Sequence, residues 1–387
     1  MSASIVIIGS ANTEQILVVD KTDSGSKHAC SDIVESFGGS AINWGIRLAR
    51  MKTTNMQKID QIYVMCPIGG DERGGSIRTK LQNLGINVVP KAALGEDFQT
   101  SHSVIVTGDD DRKVYTKKGS AVDEWAMNIA KTIEAEIPAD TPLIAMIGNI
   151  AKTNNVDADA FLITEKVIRG LLDKNAACIY ANFGRAQYSF CYHYWQDLWD
   201  KITFFQLNAD EAREFISKTL DCSDCREALT AQKVALPKNL SLHNILKLFH
   251  AIHSNAVITL AGNGSVAVTR ESEQVIFTWP RKPTKHIDAT GSGDAFGAGV
   301  ICALLSRKNL SPKTTKGFSD LFSMGSSWAA SACEGYGGHE GTPDLTELKA
   351  ALESDTLQEY PSILKNIGDA EPLLNMLDDQ KYYYRPQ

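Results

Sequence analysis

Asp288-Ala289-Thr290-Gly291-Ser292-Gly293-Asp294-Ala295-Phe296-Gly297-Ala298-Gly299 leads without interruption into the apolar run Val300-Ile301-Cys302-Ala303-Leu304-Leu305. This order of residue types reads as a loop entering a buried helix, with Gly291 and Gly293 freeing the backbone to point successive N–H groups one way. Those groups would lie at the positive end of a helix dipole, a nest suited to an oxyanion or a phosphoryl group in flight. Asp294 falls in the first helical turn, where it can orient a hydroxyl and accept its proton. The helix terminus is expected to keep that carboxylate ionised near neutral pH. A lone Asp before a helix is ordinarily a cap. The full run argues instead for Asp294 as a base and for Gly291, Ser292 and Gly293 as an anion hole. Gly291, Gly293 and Gly297 also approximate a dinucleotide fingerprint with one residue too many. That reading fails because no apolar strand precedes it, Asp294 would repel a pyrophosphate, and no acidic residue follows about 20 positions on. A Walker A segment is absent from the chain.

Outward from this run, short β-branched stretches alternate with helical patterns from end to end. Strands are expected at 5–8, 62–65, 143–147, 178–181, 203–207 and 256–260, and helices at 41–51, 74–84, 160–172, 242–253, 294–305 and 315–332. Such alternation builds an α/β fold, a mainly parallel sheet covered by helices on both faces. Two stretches break the rhythm. Residues 16–37 and 101–115 read as half-exposed strands and turns that pair into a small antiparallel flap, a lid over a site. The tail after Asp355, ending Tyr382-Tyr383-Tyr384-Arg385, is weakly amphipathic and carries no assignable role.

The bulk properties exclude several classes. A chain of 387 residues buries roughly 75% of its unfolded surface, so its core requires neither disulfide nor metal. Net charge is −7 with no basic cluster interleaved with aromatics, which speaks against a nucleic-acid partner. Ile5-Val6-Ile7-Ile8 is followed too soon by Asn12, Thr13 and Glu14 for a membrane span or signal peptide. Eight scattered cysteines, among them Cys66, Cys178 and Cys302 inside apolar stretches, fit a reduced, cytoplasmic protein. Cys222-Ser-Asp-Cys225 stands alone as a CxxC and reads as a polar surface loop. His250 and His253 are expected on one helix face, with no third ligand to make a metal site.

The run Asp288 to Phe296 closely resembles the C-terminal signature of the ribokinase-like (phosphofructokinase B) carbohydrate and nucleoside kinases. Other blocks follow in that family's order: Gly38-Gly39-Ser40-Ala41-Ile42-Asn43, then Gly69-Gly70-Asp71-Glu72-Arg73-Gly74, then Asn208-Ala-Asp-Glu211, then Thr259-Leu260 with Gly262 and Gly264. The resemblance runs from Ile5 to about Leu348 and implies one Rossmann-like three-layer α/β/α domain over 1–387. It also implies a β-sheet lid from about 12–37 and 99–120, and a C-terminal extension at 355–387. It implies MgATP as phosphoryl donor and a sugar or nucleoside hydroxymethyl as acceptor; a sensor that binds without catalysis is the alternative on the same fold. By position, Asn208, Glu211, Thr259, Gly262 and Gly264 would serve the nucleotide, with Glu211 near Mg²⁺ through water. Asn12, Glu14, Gly38, Gly39 and Asn43 would hold the acceptor, the glycines allowing close backbone approach and Asn43 donating to and accepting from hydroxyls. Asp288 with Thr290 would supply part of the K⁺ site that some members have, beside the glycine-rich loop 335–341. The lid edge could pair two copies into a homodimer.

This chain departs from the family pattern at named places. Glu14 replaces the usual Asp and is one methylene longer. Ala181-Asn182-Phe183-Gly184-Arg185 replaces Asp-Pro-Asn-x-Arg, leaving Arg185 as a candidate contact. Ala261 and Ala289 stand for the usual Gly and Thr, and Trp44 beside Asn43 is bulky enough to face either pocket or core. Gly-Gly-Ser-Ala and the segment 117–121 look like those of nucleoside kinases.

Overall fold

The computed structural model describes residues 2–19, 30–52, 59–108, 111–139, 141–150, 158–188, 190–307, 310, 314–341 and 363–379. The chain opens with β1 (Ala3–Ile8), β2 (Asn12–Val19), β3 (Cys30–Gly38), α1 (Ser40–Lys52), β4 (Ile59–Met65), α2 (Glu72–Asn83) and β5 (Asn87–Val89). It continues through β6 (Ser101–Gly108), β7 (Asp111–Lys117), α3 (Ala121–Glu136), β8 (Leu143–Ile147), α4 (Ala158–Asp173), β9 (Ala176–Ala181), α5 (Arg185–Tyr188) and α6 (Tyr192–Trp195). β10 (Phe204–Asn208), α7 (Ala209–Asp221), α8 (Ser223–Ala231), α9 (Leu242–Ala251), β11 (Ala256–Thr259), β12 (Ser265–Thr269) and β13 (Ser272–Thr278) follow. The last elements are α10 (Ser292–Leu305), α11 (Thr315–Ala332), β14 (Ile363–Asn366) and a C-terminal helix, Glu371–Asp379.

Ten described strands form one sheet in the order β14-β13-β12-β11-β10-β9-β8-β1-β4-β5. From β11 to β5 every pairing is parallel. The β12 and β13 hairpin and β14 add antiparallel strands at one edge. β1 is buried at every residue, as an interior strand covered on both faces must be. Its period-2 alternation feeds two cores: Val6 and Ile8 pack with α3, α4, α7 and α9 residues, while Ile5 and Ile7 pack with residues of α1, α10 and α11. α10 is apolar on all sides and buried from Ala295 to Leu305, the pattern of a helix enclosed by other elements.

The second sheet has the order β3-β2-β6-β7, with β2 and β6 parallel and the outer pairings antiparallel. It grows out of the end of β1, and its register sets Asn12 opposite Ser101 and Glu14 opposite Ser103. The two irregular stretches of sequence therefore do pair as one small sheet, but the strands that join them, β2 and β6, run parallel rather than as the expected antiparallel flap, because the long crossover through α1, β4, α2 and β5 brings β6 back in the direction of β2; 20–29 and 109–110 lie outside the described residues.

The tail is not simply an extension. β14 lies antiparallel to β13, and Ala370, Leu374 and Leu377 enter the core beside α9. Asp378 accepts from Arg213 (2.5 Å) and from the backbone N–H of Leu242 at the start of α9 (3.0 Å). The Tyr382 to Tyr384 run lies outside the described residues. Helix α9 ends at Ala251, short of the expected 253, so His250 and His253 do not share a helix: His250 Nδ1 meets the Thr269 carbonyl oxygen (3.0 Å) and His253 has a left-handed φ of 56°.

Candidate active site

The carboxyl ends of the parallel strands, where α/β sheets present ligands, collect most of the residues singled out in the sequence. α10 starts there. Its N-cap is Gly291 at φ 74° with no side-chain cap, and a β-carbon on Gly291 would come within 2.5 Å of the Gly338 backbone. Only glycine fits both the left-handed backbone and the close approach. The Ser292 N–H turns back to the Ala289 carbonyl (3.2 Å), and the helical ladder begins with Ala295 N–H to Gly291 O (2.8 Å). The amides of Gly293 and Asp294 thus belong to the open first turn of the helix.

Asp294 is only partly exposed and is held by two hydrogen bonds, with a third on the residue before it. Asn43 Nδ2, one turn into α1, donates to its Oδ2 (2.7 Å). Trp44 Nε1 donates to its backbone carbonyl (2.8 Å), and Gln206 Nε2 of β10 donates to the carbonyl of Gly293 (3.0 Å). Trp44 therefore faces the core, fully buried and edge-on to Tyr180. The expected direction of the Asp294 shift needs correction. Burial pushes its pKa above the ordinary carboxylate value, with the Asn43 hydrogen bond and the positive charges of Arg47 and Arg112 opposing. The helix terminus acts over one turn, whereas desolvation comes from every element packed around the group.

Glu14 projects from β2 in the second sheet. Asn12 Nδ2 donates to Glu14 Oε1 (3.1 Å) and to Ser103 Oγ (3.0 Å), while Glu14 Oε2 is buried without a partner. Burial raises its pKa from 4.5 to about 7; Asn12 pulls down, Asp288 and Asp294 push up, and Arg112 pulls down. The carboxylate lies where a side chain at 38 would be, for a β-carbon on Gly38 would strike Glu14 Oε1. A second buried acceptor, Asn43 Oδ1, is also unpartnered.

Behind these groups runs the loop 335–341. Arg47, one turn beyond Asn43, is fully buried and donates to the carbonyls of Gly338 (3.2 and 3.0 Å) and Glu340 (2.8 Å). Burial lowers its pKa to about 10 against the pull of Asp294, so it stays cationic. Asp288 ties the same loop to the α10 turn, accepting from Thr290 N–H (2.9 Å), Thr290 Oγ1 (2.6 Å) and Gly337 N–H (3.2 Å). Arg112 of β7 donates to Thr290 Oγ1 (2.6 Å) and lies 4.0 Å from Asp288, supplying positive charge where the sequence suggested a bound cation.

Asn208 and Glu211 form a reciprocal capping box at the start of α7, each side chain accepting the other's backbone N–H at 2.9 Å. Burial raises the Glu211 pKa, with Asp210, Asp294 and Glu214 adding to the rise, so this carboxylate senses the Asp294 cluster. Thr259 ends β11 beside β10, its Oγ1 3.4 Å from Leu207 O. Gly262 sits in a short turn and Gly264 follows at φ 89°. Ala261, in place of glycine, holds φ 49°, a conformation that costs an L-residue roughly 1 kcal/mol. Arg185 does not join the cluster; it is exposed and meets Glu214 (3.4 Å). Gly39, at φ 93°, turns the chain from β3 into α1. Arg47, Arg112, Gln206 and Ser103 were not singled out in the sequence. Arg47 alone carried a signal, standing four residues after Asn43 on the same helical face.

The fold is of the ribokinase-like α/β class. The profile of the pfkB family carbohydrate kinases matches residues 2–345, and the chain belongs to that family. Among solved structures it is similar to the ribokinase of Giardia lamblia (16% identity, 91% of this chain and 99% of that one, TM-score 0.63). It is also similar to the Burkholderia thailandensis nucleoside kinase in complex with inosine (17%, 92% and 99%, 0.61) and to the Cryptococcus neoformans var. grubii ribokinase in complex with ADP (17%, 90% and 99%, 0.58). No curated protein sequence matches the chain. None of the described helices is long and apolar enough to cross a membrane.

Proposed function

We propose that the protein transfers the γ-phosphoryl group of MgATP to a hydroxyl, in a hydroxymethyl group, of a sugar or nucleoside. The observation that carries this reading is the meeting of Asp294, held by Asn43, with the uncapped N-terminus of α10. Membership in a carbohydrate-kinase family supports it independently. When bound, MgATP supplies the phosphoryl group and a metal that neutralises developing charge. The open amides at Gly293 and Asp294 fit an anion, and the carboxylates of Glu211 and Asp294, close enough that Asp294 opposes the ionisation of Glu211, fit a hydrated cation between them and the phosphates. Thr259, Gly262 and Gly264, at the end of β11 and in the turn after it, would line the nucleotide.

Asp294 would accept the proton of the attacking hydroxyl, and its raised pKa brings it nearer the operating pH of a base. Asn43 would keep the carboxylate oriented, and its unpartnered Oδ1 remains to accept from the acceptor. Glu14, with one oxygen free of partners, would accept from further hydroxyls. Arg112 would bring positive charge from the second sheet to the transferring group. The second sheet would thus act as a lid that completes the site.

A panel of sugars and nucleosides assayed for ADP release with MgATP tests the reading, with Asp294→Asn as control. At least one acceptor is expected to turn over, and the variant to lose about 10²- to 10⁴-fold in kcat while still folding. Binding without turnover on every acceptor would favour a sensor instead, and near-normal turnover by the variant would remove Asp294 as base.

A further inference from the structure

Away from this site, the sulfurs of Cys191, Cys222 and Cys225 all lie within 4.8 Å of one another. The CxxC is therefore not the polar surface loop expected from sequence. Cys222 is the N-cap of α8 and Cys225 lies in its first turn, so both sulfurs meet at the same helix end. Cys191, the N-cap of α6, arrives from a segment about 30 residues earlier in the chain. Cys225 is fully buried and Cys191 nearly so, while Cys222 is partly exposed. All three thiols are free.

We propose that Cys191, Cys222 and Cys225 form a three-thiolate site for a soft metal ion, Zn²⁺, which staples the α5–α6 segment to the α7–α8 junction. The donor set is all sulfur, the choice of Zn²⁺ and other soft ions over Mg²⁺ or Ca²⁺. A tetrahedral Zn²⁺ with Zn–S near 2.3 Å needs sulfurs about 3.8 Å apart, so the cluster requires a closure of roughly 1 Å or less. Backbone amides already face the sulfurs: His193 N–H donates to Cys225 Sγ (3.1 Å) and Cys225 N–H to Cys222 Sγ (3.4 Å). Hydrogen bonds of this kind stabilise the negative charge of ligating thiolates. Binding forms three metal–sulfur bonds, releases the thiol protons to solvent and displaces water from the hydrated ion. The partly exposed Cys222 side admits water as a fourth ligand. Cys66, Cys178 and Cys302 are equally buried but stand apart in the core and form no such cluster.

The site is distinct from the phosphate-facing carboxylates. α7 runs from the Asn208 and Glu211 cap to Asp221, next to Cys222, a length of about 20 Å at 1.5 Å per residue. The metal would act on the fold rather than on the chemistry. It would pin two short helices, α5 and α6, whose four residues each give them little helical stability alone.

The full chain, reduced and freed of metal by chelation, is titrated with Co²⁺ alone and followed by its sulfur-to-cobalt charge-transfer absorption, then back-titrated with Zn²⁺. One equivalent of Co²⁺ should bind, be displaced by Zn²⁺, and raise the unfolding temperature. Cys222→Ser, at the exposed ligand, should keep the far-ultraviolet circular dichroism of the wild type and weaken Co²⁺ binding by about tenfold or more, at least the effect of losing an outer-shell partner. No charge-transfer band in the reduced protein, or equal binding by Cys222→Ser, overturns the proposal. So does closure to a disulfide on mild oxidation in a protein that never takes up metal.

Discussion

The candidate site has two sides, one from each sheet, and each carries a carboxylate under different terms. Asp294, on the α/β body, has its side chain held by Asn43 and its backbone by Trp44. Glu14, on the second sheet, keeps one oxygen on Asn12 and buries the other without a partner. The body has built a preorganised group whose geometry depends on nothing outside the chain. The second sheet has buried an acceptor that only an incoming donor can satisfy, an arrangement that weakens the free protein and strengthens binding. Stability and recognition are therefore separable, and substitutions on the two sides should separate them.

The largest effect within this comparison is expected on the body side. Gly291→Ala would need a left-handed alanine and a β-carbon 2.5 Å from the backbone of Gly338. The α10 terminus should shift, with a fall in kcat of about 10²-fold and a stability loss of about 1–3 kcal/mol. Steady-state kinetics with a thermal melt checks both, and an alanine variant with unchanged kcat would show that the amides of this turn do not hold the transferring group.

On the other side, Glu14→Gln should move activity and stability in opposite directions. Its folded pKa of about 7 lies above the ordinary 4.5, so the folded chain holds this proton more tightly than the unfolded one. The stability from that preference is fully present below about pH 4.5 and is lost as pH rises through about 7. At pH 8 the variant, free of the buried charge, should be more stable than wild type by on the order of 3 kcal/mol, and at pH 4.5 the two should melt alike. Acceptor KM should rise roughly tenfold, as for losing a hydrogen bond to a charged group, and the limb of the wild-type acceptor kcat/KM profile near pH 7 should vanish. Equal stability of the two proteins at pH 8 would contradict the picture of a strained second side.

The smallest effect sharpens the comparison at the edge of the body. Asn208→Ala removes half of the α7 capping box and should cost about 1 kcal/mol of stability. It should also raise severalfold the Mg²⁺ concentration needed for half-maximal rate, because the Glu211 backbone N–H loses its side-chain acceptor and the helix start that carries the Glu211 carboxylate is held less firmly. A stability loss with unchanged Mg²⁺ dependence would reduce the pair to a helix cap.

Much of this was legible in the sequence, for reasons that can be named. Helix α11 begins and ends at the residues its periodicity indicated, 315 and 332. Parallel strands such as β8 stand out as apolar runs because both of their faces are buried. Gly291 and Asp294 could be singled out because a left-handed turn and a first-turn carboxylate each restrict residue type locally. Asn43 and Glu14 could be found only by resemblance of short blocks, and nothing local marked Arg112, which reaches Thr290 across 178 positions of chain.

What sequence settled alone were properties that depend on neighbours a few residues away: the alternation of apolar strands with helices, though not the β12–β13 hairpin or the helices α3, α7 and α8, the two half-exposed stretches that form the second sheet, and the turn at the head of α10. Tertiary structure alone decided how strongly Asp294 and Glu14 hold their protons, that three cysteines from two segments come together, and that the tail completes the large sheet. Backbone preference is a short-range quantity that a residue carries with it. Desolvation and charge are sums over everything packed nearby, and here those neighbours come from positions as far apart as 43 and 294.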